Sequence, residues 1–344
     1  FTWGANSQGQ LGIGDKYGVC SPVQVGELET WFKFDSAKQN LIATTTGYTL
    51  FASGRGTYGF NGQGNTTRTC SPVQIGSLTN WKQVSGGATF WHSVKTDGTL
   101  WFCGGGSWSG QNGLGNLTSY SSPVQVGSLT NWGVQGNASR NCMNIKTDGT
   151  LWTWGSGGTI GDGTTTNKSS PVQIGSLTTW SQGMQGYLSA IAVRTDGKMF
   201  CWGLNSSGEL GDGSTTNRSS PVQVGSLTTW SKVAADYYHT AAVKTDGTLW
   251  TWGKNANGVL GDGTTTNRSS PVQVGSLTTW STVACARYTT HAIKTDGTLW
   301  GMGAGAYIGD GGTTSRSSPV QIGSETNWSE VSGQVKQNSA TRTT

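Results

Sequence analysis

The chain is poor in charge, proline and histidine. Only 11% of its 344 residues are Asp, Glu, Lys or Arg, and the net charge is +5. The basic residues are spread along the sequence rather than gathered in blocks, so no nucleic-acid partner is expected. No run of eighteen apolar residues occurs, and no membrane insertion is expected. The segment starting at Phe1 has no signal-like pattern, which leaves the compartment open. Six cysteines (Cys20, Cys70, Cys103, Cys142, Cys201 and Cys285) include no CxxC pair and have no histidines at zinc spacing. They argue against a metal framework, and a chain of this size does not need disulfides. Cys20 and Cys70 share a place in two "CSPVQ" segments and are the one pair whose oxidation is worth checking.

Histidine occurs three times. His92 and His291 stand five residues before the Asp of an Asp-Gly pair, and His239 stands seven before its own. A nucleophile with its base, or a metal site, needs unlike residues converging on one point. Scattered in this way, the histidines read as hydrogen-bonded strand residues; no catalytic residue and no cofactor is expected.

All seven prolines fall in one motif, "SPVQ[VI]G", at Pro22, Pro72, Pro123, Pro171, Pro221, Pro271 and Pro319. Successive spacings lie between 48 and 51 residues, the mark of a propeller or solenoid. Each unit continues with "SLT[TN]W" or a close variant, an alternating run such as "TAAVKT", an Asp-Gly turn, "TLWTWG", and a Gly-rich loop. An Asp-Gly pair between two alternating runs predicts a tight hairpin of type I′. Nothing has helical period over a useful length, so each unit is about four short strands. The C-terminal "NSATRTT" aligns just before the turn and the N-terminal "FTWGANSQGQLG" just after it. Repeat seven is therefore split between 328–344 and 1–12. The reading is all-β: one propeller domain over 1–344 with seven blades, closed by a blade shared between the two ends.

The unit resembles the repeat of the regulator of chromosome condensation family. The matching residues are "WGANSQGQLG" at 3–12, "WGLNSSGELGDG" at 202–213, the "SPVQV" strand, and "HTAAVKTDG" at 239–247. The resemblance implies a seven-bladed propeller. It implies less about function, because that scaffold serves nucleotide exchange factors, a plant photoreceptor and a bacterial enzyme inhibitor.

Fifteen of the 17 tryptophans occupy repeat positions and read as core and blade-to-blade packing. A buried Trp contributes on the order of 4–6 kcal/mol gross, a large term for thin Gly-rich blades. Trp91 and Trp108 lie off the repeat. Between "SLT[TN]W" and the hairpin, a variable stretch carries Phe90, Trp91, Tyr187, Tyr237, Tyr238 and Tyr288, with Arg140 and Arg287 beside them. Equivalent propeller loops emerge on one face, so these residues and Trp108 are the candidate ligand-binding set, with packing beside the channel as the competing account. The "GDG" aspartates Asp162, Asp212, Asp262 and Asp310 recur in step with Lys168, Arg218, Arg268 and Arg316; an exposed ion pair explains them more simply than calcium.

The near-identity of the units and the low charge lead to one functional expectation. It is a non-enzymatic binding or adhesion module, extracellular or on a cell or virion surface such as a tail fibre, recognising a protein or glycan. The alternative is an intracellular guanine-nucleotide exchange or chromatin-binding propeller.

Overall fold

Each unit forms one antiparallel four-stranded sheet in the computed structural model of the chain, which describes residues 1–342 apart from 28, 29, 38, 106–108, 138, 139, 335 and 336. Blade five is representative, with strands Trp230–Ala235, His239–Lys244, Leu249–Gly253 and Arg268–Gln273. The second strand is buried along its whole length, whereas the fourth, with Pro221-type prolines at its outer edge, is only half-buried. Pro suits that outermost strand because it donates nothing to the ladder. First-strand residues Phe34, Val84, Met184, Ala234, Val283 and Val331 line a central channel.

The shared blade is present. Trp328–Gln334 and Gln337–Arg342 pair in one sheet with Thr2–Gly4 and Val19–Val23. Thr2 stands opposite Ser339, and the Phe1 ammonium donates to the Ala340 carbonyl at 2.8 Å. The N-terminal share of this blade reaches Val23, further than the alignment to residue 12 predicts.

Two faces follow from the order of the strands. On one, the loop between first and second strands meets the start of the Gly-rich loop, as in Lys254 N–H to Tyr238 O at 2.8 Å. On the other, the Asp-Gly hairpin meets the "SLTTW" segment, as in Thr245 N–H to Thr229 O at 2.8 Å.

The hairpins differ from the sequence expectation. A type I′ turn needs positive φ at both central residues, but among the described Asp-Gly pairs only the glycine has it, for example Gly247 at +76°. Gly247 N–H donates to Lys244 O and Lys244 N–H to Thr248 O, both at 3.0 Å. This is a three-residue loop, a turn followed by a left-handed glycine. An Asx-type bond to the aspartate accompanies it, as from Lys198 N–H to Asp196 Oδ1 at 3.2 Å, and in blade five the neighbouring threonine adds to it. Asp246 Oδ1 accepts from Thr248 N at 3.0 Å and Thr248 Oγ1 at 2.6 Å, and that hydroxyl accepts from Trp250 Nε1 at 2.8 Å. These bonds hold Asp246 in an Asx-type turn and draw its carboxyl below the usual carboxylate range. Lys244 then lays its ammonium 3.7 Å from the Trp250 ring centre, and the arrangement recurs at Lys95, Lys146 and Lys294.

A Cβ on Gly247 would fall 2.1 Å from the Thr278 carbonyl oxygen, at a φ that L-residues rarely adopt. Gly247→Ala is expected to lower stability by about 1–3 kcal/mol, read as a lower urea midpoint at unchanged slope.

Candidate functional site

The second tryptophan of "TLWTWG" sets the baseline for judging the candidate residues. Trp252 is fully buried and donates through Nε1 to the Glu209 carbonyl of the preceding blade at 2.9 Å. Trp154, Trp202 and Trp3 make the equivalent bond to Gln111, Thr159 and Tyr307 at 2.9, 3.0 and 3.3 Å. Blade two has Cys103 at this position, and Trp91 stands directly opposite Cys103 on the neighbouring strand. The Trp91 Nε1 donates to Phe60 O, the equivalent carbonyl, at 2.7 Å. Trp91 is therefore the repeat tryptophan supplied from the adjacent strand, and it is 0% exposed. Phe90 is equally buried, against Phe102 and His92. Neither faces a ligand, which corrects the sequence assignment for both. Period-two alternation could not reveal this, because the inward direction depends on which strand the neighbouring blade covers. Trp108 lies outside the described residues.

The remaining six candidates come together. Tyr187 and Tyr237 stack with centroids 4.0 Å apart and planes 8° apart. The Arg140 guanidinium carbon lies 5.4 Å from the Tyr187 ring, and that of Arg287 lies 4.8 Å from Tyr237 and 5.0 Å from Tyr288. Tyr288 in turn stacks with Tyr307 at 5.8 Å. Tyr238 packs on Tyr237 at 5.7 Å and carries Lys254 4.8 Å above its ring. The result is an arc of alternating aromatic and cationic groups across the loops of blades three to six. Arg140 and Lys254 are exposed, Tyr187, Tyr238, Arg287, Tyr288 and Tyr307 half-buried, and Tyr237 buried.

The backbone places these rings. Tyr187 N–H donates to Asp236 O in the next blade at 3.1 Å, tying the two loops together. A Cβ on Gly186 would lie 2.4 Å from the same oxygen, so the loops approach this closely only with glycine there. Asp236 is itself buried; burial pushes its carboxyl well above the usual range, and the Arg287 charge offsets this in part. Between blades five and six a cleft is lined by Tyr238, His239, Lys254, Asn257, Arg287 and Tyr288, among others. Sequence reasoning missed Tyr307, Lys254 and Asp236. Tyr307 and Lys254 belong to the Gly-rich loops, and only the ring geometry folds those loops against the variable stretch.

The histidines are strand residues with hydrogen bonds. His239 Nε2 meets Thr290 Oγ1 and His291 Nε2 meets Ile308 O, each at 2.8 Å. Burial draws His92 down to about 3, and His239 and His291 to about 4. No group of three His, Cys, Asp or Glu side chains converges among the described residues. The "GDG" aspartates pair with the basic residue of their own blade: Asp162–Lys168 at 3.0 Å, Asp212–Arg218 at 2.8 Å, Asp262–Arg268 at 2.7 Å and Asp310–Arg316 at 3.1 Å. These pairs are not the exposed ones the sequence suggests. The Asp212 side chain is only 4% exposed, and Asn205 Nδ2 also donates to it at 3.1 Å. All six cysteines are free thiols, Cys20 and Cys70 included.

Two outcomes are expected. Trp91→Ala should cost about 3–5 kcal/mol in urea unfolding, the range for a core tryptophan. For the histidines, the folded pKa lies below the unfolded one, so the unfolded chain binds more protons as pH falls below about 6.5. Stability should drop from about pH 6.5 toward about pH 4. His291→Gln should reduce that slope by about one proton, or about 1.4 kcal/mol per pH unit, in urea titrations across the window.

Two family models, both described as Regulator of chromosome condensation (RCC1) repeat, match residues 1–36, 196–243 and 246–293, and residues 230–259. No curated protein sequence matches significantly. Among solved structures, human WBSCR16 is 16% identical with a TM-score of 0.88, over 100% of this chain and 99% of that one. Prp20p from Saccharomyces cerevisiae, described with its binding properties to Gsp1p and histones, is 15% identical with a TM-score of 0.85, covering 100% and 91%. Yeast RCC1 (Prp20) with Kap60 bound is 16% identical with a TM-score of 0.86, covering 100% and 89%. At these identities the likeness is one of fold. Residues 1–36 and 196–293 thus carry matches to the regulator of chromosome condensation repeat, on a propeller of seven four-stranded blades with a shared closing blade.

Proposed function

We propose that the chain is a non-catalytic recognition module that binds a protein through the loop face of blades three to six. The observation that carries this reading is the arc Arg140, Tyr187, Tyr237, Arg287, Tyr288 and Tyr307. Large aromatic and arginine side chains held on a rigid scaffold supply contact area at low entropic cost. The six residues come from four blades, and no packing requirement of a single blade explains their convergence. Buried, neutral histidines and self-paired aspartates support a binding role over a catalytic one.

The partners named for Prp20 (Gsp1p, histones and Kap60) are proteins. They favour a protein ligand here over a glycan. They also support the alternative reading, in which the propeller engages a small GTPase or a chromatin protein, more than they support surface adhesion. A cell- or virion-surface setting rests on composition alone.

The test is direct binding of the purified chain to histones, to a nucleotide-free small GTPase and to a glycan array, with Tyr187→Ala and Tyr288→Ala alongside. A protein ligand should bind and lose about tenfold or more in affinity in each variant at unchanged melting temperature. A ligand found only among glycans, or a protein whose binding neither variant alters, would overturn the reading.

A further inference from the structure

The cations of the Gly-rich loops and those of the arc are treated differently. In the Gly-rich loops Lys168, Arg218, Arg268 and Arg316 are each neutralised by the aspartate of the same blade. On the arc, Arg140, Lys254 and Arg287 form no ion pair among the described residues. They lie instead against Tyr187, Tyr238, Tyr237 and Tyr288, and Arg287 Nε has no acceptor. Asp236, on whose carboxyl the Arg287 charge acts, is buried, and burial pushes that carboxyl above the usual range. Three positive charges thus stand on one face with no ion pair among the described residues, the buried Asp236 lying close to Arg287.

A guanidinium laid against a ring keeps its N–H edge open, and that edge matches a carboxylate in two parallel hydrogen bonds. The rings are committed already. Tyr187, Tyr237, Tyr288 and Tyr307 each have a stacked or cationic neighbour within the arc. Sugars and bases need a free aromatic platform, so this arrangement does not favour an oligonucleotide or a glycan. The cations also stand singly, Arg140 separated from Arg287 by the Tyr187–Tyr237 stack. A phosphate group needs several donors converging on one point, whereas separated charges suit separate side-chain carboxylates on one chain.

We propose that the partner presents an acidic peptide segment, with Asp or Glu carboxylates seated on the guanidinium edges of Arg140 and Arg287 and on the Lys254 ammonium at the mouth of the cleft between blades five and six. This rests on the recognition reading of the same face and adds the chemistry of the contact.

A fluorescent ten-glutamate peptide, measured by anisotropy against a Gly/Ser peptide and a thymidine oligonucleotide, tests it. The glutamate peptide should bind in preference to both controls, and its affinity should fall as salt is raised. Arg140→Gln combined with Arg287→Gln should weaken it about tenfold or more. Lys254→Gln, at an exposed residue without an ion pair, should weaken it about threefold and leave the melting temperature unchanged. Equal affinity in wild type and all variants, or tighter binding of the oligonucleotide, overturns the proposal. If the arginine variants leave peptide binding intact while Tyr187→Ala abolishes capture of a histone or GTPase, the acidic-segment proposal fails and the recognition reading survives. If neither class of variant alters any binding, both fail.

Discussion

The structure depends on one contact made repeatedly around the ring, an indole buried between blades whose N–H is satisfied by a carbonyl of the preceding loop. Trp3, Trp91, Trp154, Trp202 and Trp252 all make it. A blade of four short strands with a Gly-rich loop has little apolar surface of its own. One indole gives both burial and an orienting hydrogen bond, so it fixes how far apart and at what angle neighbouring blades sit. The exchange of Trp and Cys across the Trp91–Cys103 pair shows that the slot matters more than the strand that fills it. In blade six Met302 fills the position, fully buried. In blade one Ser53 occupies it with its hydroxyl unpartnered, beside a pocket lined by Val25, Trp31, Phe34 and Leu41, among others.

Once the blades are fixed, the loops on one face are held at a constant offset and can vary without cost to the core. The binding arc is a product of that constancy. Tyr187 and Tyr237 stack because equivalent loops of adjacent blades bring equivalent positions side by side, with Gly186 permitting the close backbone approach. Rigidity matters for recognition because the entropy of ordering these side chains is met on folding rather than on binding.

Charge depends on position. Among the cations of the repeat, Arg218 and Arg268 are neutralised by an aspartate of the same unit, whereas Lys244 and its equivalents lie on tryptophan rings. Where a cation belongs to a single blade, as at Arg287 or Lys254, it rests on aromatic rings and keeps its charge available.

The sequence by itself determined the period, the seven sheets and the closing blade, because strand alternation, turn residues and proline at an outer strand are local effects that repeat with the unit. The alignment of both termini to one repeat was enough to require the pairing of Thr2–Gly4 with Gln337–Arg342. The hairpin type was not legible, since the aspartate side chain accepts from the backbone two residues on, a bond that propensity does not weigh. Nor was the fate of the off-repeat aromatics. Trp91 and Tyr187 look alike in sequence, both lying in the variable stretch before the hairpin. Trp91 lies within the second strand, where its indole faces the preceding blade, and Tyr187 falls in the loop before the equivalent strand of its own blade. Tertiary structure alone decided which became core and which became surface, because inward and outward are defined by the neighbouring blade.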